Sequence, residues 1–191
     1  YANLLRSNDI DLRLGVSVED VHGDESVEGV TLTDGAFVSA ELLVVGIGAV
    51  PNTEWLTTSG LSVDDGIVCD GTLNAGVRGI YAVGDVAKAP NRWLGGRIRR
   101  TEHWTTATEH AVLAAKNLLT PESSNSYNSV PFIWSDQGED RIQIAGDTIN
   151  FDEVEILSAS AVDQAFIAGY RHGDSLAGVM ALNSMRSFVK F

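Results

Sequence analysis

The stretch from Glu41 to Gly48, ELLVVGIG, constrains this chain more than any other. Leu42 to Val45 present no polar face, so the run reads as a strand buried on both sides, as in a parallel sheet. Gly46 and Gly48 then suggest a loop that wraps a nucleotide phosphate. Such a loop needs a third glycine three positions after Gly48, where a helix begins. Position 51 is proline, followed by Asn52, so the fingerprint fails, and no other stretch supplies it. The chain is therefore expected to carry part of an α/β domain without a complete phosphate-binding βαβ start.

The flanking patterns extend that reading. Ile10, Leu12, Leu14, Val16 and Val18 alternate with a period of two, which predicts a strand. Val27–Thr33 predicts a second, and Asp34-Gly35 a hairpin turn into a third. The first forty residues thus read as a β-meander, and since the chain opens at Tyr1 in a pattern that already looks mid-fold, a fragment of a longer protein is expected. One long helix is predicted within residues 100–121. Thr106 and Glu109 have capping-box spacing, Ala111, Ala114, Ala115, Leu118 and Leu119 form an apolar stripe, and Thr120-Pro121 ends it. Residues 120–130 read as a linker. Beyond it, Ile142 and Ile144, Val154–Leu157, and Phe166–Arg171 paired with Leu176–Leu182 across HGDS predict a small strand-rich α+β unit, with a final helix from Ser184.

Composition narrows the function. Hydrophobic residues at 44% and charged residues at 20% are those of a soluble globular protein. No run approaches the roughly 18 apolar residues that span a bilayer, and no secretory signal is visible. A net charge of −13 argues against general nucleic-acid binding. Cys69 is the only cysteine, which excludes an internal disulfide and a dithiol redox pair, and fits a reducing cytoplasm. The positive charge is uneven: Lys88, Arg92, Arg97, Arg99 and Arg100 are five of the thirteen basic residues. They read either as a solvated loop or as a rim that attracts an acidic protein or a phosphate.

That basic segment follows GIYAVGDVA, residues 79–87, where an apolar run stops at Gly84-Asp85. One reading is ordinary turn chemistry. The other requires Ile80–Val83 to be a buried parallel strand, with Asp85 at its carboxyl end, where open α/β sheets bind ligands. Asp85 would then accept a hydrogen bond from a sugar-like hydroxyl. The amino end of the predicted helix is the second candidate, because its free N–H groups and dipole favour negative charge. Glu102, His103, Trp104 and Thr105 stand there, and Trp134 in PFIWSDQ could cover a planar ligand. His22, His103, His110 and His172 lack metal-ligand spacing, and no nucleophile elbow supports a Ser-His-Asp triad.

Taken in order, LLVVGIGAVPNTEWL, GIVCDGTLNAGVRGIYAVGDVA, RTEHWTTATEHAVLAAKNL and PFIWSDQ resemble the carboxyl half of the two-dinucleotide-fold flavoprotein reductases of the pyridine nucleotide-disulfide oxidoreductase superfamily. The chain is most similar there to the FAD-dependent ferredoxin and rubredoxin reductases that feed electrons to oxygenases. The resemblance implies an α/β fold, the tail of an FAD/NAD(P)-linked reductase, plus a small α+β carboxyl-terminal domain. It places residues 1–40 at the end of an NAD domain, 41–122 in the returning part of an FAD domain, and 127–191 in the terminal domain. It also implies that Asp85, after Gly84, holds the FAD ribityl chain, and that Glu102–Thr105 face the isoalloxazine, Trp104 through its backbone. Trp134 would lie near the flavin, and Gly48 would face the NADH side. No residue need act as acid or base. Arg92, Arg97, Arg99 and Arg100 are the expected docking residues for an acidic [2Fe-2S] ferredoxin or rubredoxin. Both pyrophosphate cradles belong to the absent half, so FAD and NADH binding by this stretch alone is expected to be weak. Thr106-Ala107 and His110 stand where such reductases usually carry Asn-Ala and Gln. The rival expectations are a non-catalytic module that forms a homodimer through its terminal domain, and a reductase of monodehydroascorbate or nitrite type.

Overall fold

The computed structural model of the chain describes residues 2–160 and 164–191. Contacts divide it into two units, Tyr1–Ala49 and Val50–Phe191.

In the first unit a short helix, α1 (Ala2–Ser7), precedes an antiparallel meander of β1 (Val18–His22), β2 (Gly29–Leu32) and β3 (Phe37–Ser39) in the order β1-β2-β3. The Asp34-Gly35 turn forms as expected: Gly35 takes φ +83° and donates to the Leu32 carbonyl at 2.8 Å, while the Asp34 carboxylate accepts from the Ala36 amide at 3.0 Å. Two expectations fail. Residues 10–17 form no strand despite their alternation, and Leu14 is largely exposed. Leu42–Val45 form no buried strand either; Leu42 and Val44 stand 79% and 84% exposed. A strand is defined by the ladder its neighbours supply, and among the described residues neither run has one.

The second unit carries two sheets. The first joins β4 (Ile67–Val68), β5 (Ala87–Pro90) and β6 (Ile98–Arg100), with β4 parallel to β5 and β5 antiparallel to β6. Helix α2 (Trp104–Leu119) follows. The second sheet is wholly antiparallel, in the order β7-β8-β11-β10-β9, from β7 (Phe132–Gln137), β8 (Asp140–Gly146), β9 (Glu153–Ser160), β10 (Ala165–His172) and β11 (Ser175–Leu182). The hairpin across HGDS pairs as expected, and α3 (Met185–Phe188) packs its Phe188 onto Ile167 and Val179. Among the described residues no helix is long and apolar enough to cross a membrane.

Helix α2 corrects the expectation most sharply. Its buried residues are Thr106, His110, Ala114 and Asn117, whereas Ala111, Ala115, Leu118 and Leu119 face outward. Asn117 is turned inward because it finds partners. Asn117, with no exposed surface, donates to the Thr72 carbonyl at 3.0 Å and the Asn125 carbonyl at 2.9 Å, and accepts from the Asn125 amide at 2.8 Å. Residues 120–130 are consequently no loose linker. The Tyr127 amide donates to the Gly71 carbonyl at 2.7 Å, and its hydroxyl donates to Glu109 at 2.9 Å. Burial, reinforced by that carboxylate, pushes the Tyr127 hydroxyl up to about 12. The capping box also fails, since the helix starts at Trp104 and places Thr106 inside its first turn, with His103 as the flanking residue.

His110 gives this face a pH dependence. It packs edge-on against Tyr127 at 4.4 Å, and burial holds it below the usual imidazole value despite the opposing pull of Glu109. The unfolded chain, with imidazoles near about pH 6.5, then binds more protons than the folded one. Stability is complete above that pH and falls as the pH drops below it. We expect the urea midpoint to decline from pH 6.5 towards 5, and His110→Phe to make that decline shallower; an equal slope in both proteins would exclude His110 as a source.

Candidate functional site

Gly84 begins a single 3₁₀ turn, Gly84–Val86, and is buried against α2. It takes φ +69°, and a Cβ there would meet the Cβ of Ala107 at 3.3 Å. Glycine is required by the left-handed backbone and by the helix, not by a ligand chain alone. The run before it is not the buried strand expected. Ile80 and Val83 are partly exposed, Tyr81 makes one isolated bridge with Asn74, and the parallel pairing lies downstream at Ile67 and Ala87. Asp85 is exposed beside the helix end all the same. Its carbonyl accepts from Arg100 at 3.2 Å, and Arg100 also pairs with Asp65 at 3.1 Å and with Glu102. Arg100 thereby ties the Gly-Asp turn to the residues that lead into α2.

The amino end of α2 is electrostatically open. Its first turn contains no acidic residue, and His103 makes no side-chain cap. The amides of Trp104, Thr105 and Thr106 thus have no partner within the helix. Thr105 donates its hydroxyl to the Phe132 carbonyl at 2.6 Å, which fixes β7 against the helix. A cleft of about 240 Å³ results, lined by Glu102, His103, Trp104, Phe132, Ile133 and Trp134. Trp104 is 80% exposed and Trp134 44%, so both indoles offer apolar surface to a ligand. Phe132 lies 5.8 Å from Trp134 between ring centres.

His103 is the unsatisfied group of the site. Its Nδ1 is buried with no hydrogen-bond partner among the described residues. Burial, and next the Arg99 guanidinium, hold its imidazole below the usual value, while Asp85 and Glu102 pull the other way. The imidazole is accordingly neutral at physiological pH.

The fold therefore brings together Glu102, His103, Trp104, Thr105 and Trp134, and packs the Gly84-Asp85 turn on the same helix. Gly48 sits on an exposed loop of the first unit, at φ +104° with open space around it. The basic segment is largely neutralised from within: Lys88 pairs with Asp64 at 2.7 Å, Arg97 with Asp147, and Arg100 as described. Arg92 lies over the Trp93 ring at 5.0 Å. Among the described residues, Arg92 and Arg99 make no ion pair. Phe132 was missed by the sequence reading, although its spacing of two from Trp134 puts both on one face of a strand.

Residues 1–111 match the family model described as pyridine nucleotide-disulphide oxidoreductase, and residues 132–191 the one described as reductase C-terminal. Rhodocoxin reductase of Rhodococcus erythropolis is 35% identical, over 93% of this chain and 41% of that protein. The crystal structure of the ferredoxin reductase for the CYP199A2 system from Rhodopseudomonas palustris superposes with a TM-score of 0.90 at 32% identity, covering 98% of this chain and 46% of that one. The putidaredoxin reductase–putidaredoxin covalent complex gives a TM-score of 0.87 at 29% identity, with 100% of this chain and 45% of that chain covered. This chain spans less than half the length of these relatives. Matched over residues 1–111, more than half of its length, the chain belongs to the pyridine nucleotide-disulphide oxidoreductase family.

Proposed function

We propose that this chain is the carboxyl-terminal part of a reductase that passes electrons from NADH through FAD to a ferredoxin or rubredoxin of an oxygenase system. The supporting observation is the cleft between the open end of α2 and β7, beside the Gly-Asp turn. FAD, when bound, accepts a hydride from NADH and releases electrons singly. The residues present suit it. The Asp85 carboxylate can accept from a polyol hydroxyl, and the free amides of α2 favour negative charge on an adjacent ring by about a kcal/mol. Trp104 and Trp134 supply apolar walls that exclude water, and the Thr105 bond to Phe132 keeps those walls apart at a set distance. His103, whose Nδ1 is buried without a partner among the described residues, lines the same cleft.

An acidic ferredoxin fits Arg92 and Arg99, the two cations of this segment that make no ion pair among the described residues, better than the whole basic segment. A reducing cytoplasm suits the lone, buried Cys69.

The test uses the natural full-length gene product. It should purify yellow, release FAD on denaturation, and reduce a ferredoxin with NADH. Asp85→Ala should weaken FAD retention roughly tenfold or more, the size of a lost hydrogen bond to a charged group. A protein that stays colourless after incubation with FAD would end this reading.

A further inference from the structure

A second cavity, of about 500 Å³, lies between the β5–β6 hairpin and β8. That volume is typical of small-molecule sites. Leu94, Ile133, Ile144 and Ile149 give it apolar walls, while Arg99 and His103 also line it. Three carboxylates border the space, and each has its own cation or amides. Asp65 and Glu102 share Arg100, and Asp147 holds Arg97 and the amides of Ile149 and Asn150. Lys88 on the same wall is held by Asp64. Arg99 differs: among the described residues its guanidinium makes one hydrogen bond, from Nε to the Arg100 carbonyl at the 3.5 Å limit. A guanidinium fork with free donors in a half-apolar cavity is an anion-binding group.

We infer that this cavity binds an amphipathic monocarboxylate, with its carboxylate on the Arg99 guanidinium and its apolar body against Leu94, Ile133, Ile144 and Ile149. The acids at the rim select against a dianion, which their field repels. The apolar walls select against a bare ion, which would leave them without a partner. This site goes beyond the flavin reading and does not need it, although Glu102, His103 and Ile133 line both cavities. Through that shared wall a bound carboxylate would alter the surroundings of Trp104 and Trp134.

Calorimetric titration of the full chain, free of nucleotide, with hexanoate, hexanol and inorganic phosphate tests the inference. Hexanoate should bind saturably with one site per chain and change the tryptophan fluorescence. Hexanol and phosphate should bind at least about tenfold more weakly. Arg99→Gln should weaken hexanoate by a similar factor, and Arg99→Lys by less, since it keeps the charge and loses the fork. Equal binding of hexanol and hexanoate, tighter binding of phosphate, or no saturable hexanoate binding would overturn the proposal on the unaltered protein, whether or not a variant folds. Unchanged hexanoate affinity in a folded Arg99→Gln chain would overturn it as well. None of these outcomes touches the colour test of the flavin reading.

Discussion

Leu73→Ala should lower the stability of the second unit by about 3 to 4 kcal/mol, the usual range for emptying a fully buried leucine site. Leu73 has no exposed surface and stands in a core with Leu56, Ile67, Ala82 and Tyr127. Its neighbours are poorly placed to close the gap. Asp70 anchors the turn by accepting from the Thr72 amide at 2.8 Å, the Thr72 hydroxyl at 2.7 Å and the Asn74 amide at 3.1 Å. The Leu73 carbonyl accepts from Ala82 at 3.1 Å, two residues before the Gly84 turn. Leu73 also takes φ +69°, a left-handed conformation that costs an L-residue about 1 kcal/mol or more. The side chain is worth enough to hold that strain. Glycine at this position should therefore be no worse than alanine, although glycine inside regular structure is normally about 1 kcal/mol worse. Urea unfolding followed by tryptophan fluorescence measures both variants. A loss under 1 kcal/mol for alanine, or glycine clearly below alanine, would show that the packing or the strain has been misjudged.

Some of this fold was legible in the sequence because the deciding physics is local. Asp34-Gly35 announces itself by turn chemistry, and the β10–β11 pair by the HGDS turn between its two runs. Where tertiary partners decide, the pattern misled. Ala111, Leu118 and Leu119 look like the inward face of α2, yet Asn117 wins the interior because three backbone groups meet its amide. Leu42–Val45 have the composition of a buried strand and no ladder among the described residues. In both cases side-chain hydrophobicity was a weaker guide than the location of hydrogen-bond partners.

The site divides in the same way. Glu102 to Thr105 were identifiable as the open end of a helix, and Trp134 as an indole after a polar stretch. Their meeting depends on the Thr105 bond to the Phe132 carbonyl, a contact no local pattern encodes. Charge depends on the fold for a related reason. Five basic residues within positions 88–100 count as a patch only if the fold leaves them unpaired, and Asp64, Asp65, Glu102 and Asp147 occupy three of them. Arg92 and Arg99, which make no ion pair among the described residues, cannot be told from Arg97 or Arg100 by sequence.

Asp147→Ala should cost about 2 to 4 kcal/mol at neutral pH. Removing one partner of a buried pair commonly costs 3 to 5 kcal/mol, and the lower range applies because the Arg97 side chain is 40% exposed and keeps water. The Asp147 side chain is only 6% exposed. It accepts from the amides of Ile149 at 3.2 Å and Asn150 at 3.1 Å and pairs with Arg97, so alanine would strand two donors and a cation. Burial opposes its charge, but the Asn150 amide, Arg97 and the Ile149 amide together outweigh burial and hold the carboxyl below the usual range. The sign of the pH effect follows. A carboxylate with a depressed folded value stabilises fully above its unfolded pKa of about 3.9, and the benefit is lost as the pH falls through the folded value. Asp147→Asn keeps an acceptor for the amides and loses the charge, so it should lie between wild type and alanine at pH 7 and approach wild type as the pH falls below about 4. Urea midpoints of the three proteins at pH 7 and pH 3.5 check this, and a gap between wild type and Asp147→Asn that is unchanged at the lower pH would assign the stabilisation to shape rather than charge. The bond also has a functional reach. Arg97 belongs to the β5–β6 hairpin and Asp147 to the end of β8, the two walls of the cavity that contains Arg99. Loss of the pair should therefore weaken hexanoate binding even where Arg99 is intact, because the guanidinium and the apolar wall it faces would no longer be held together.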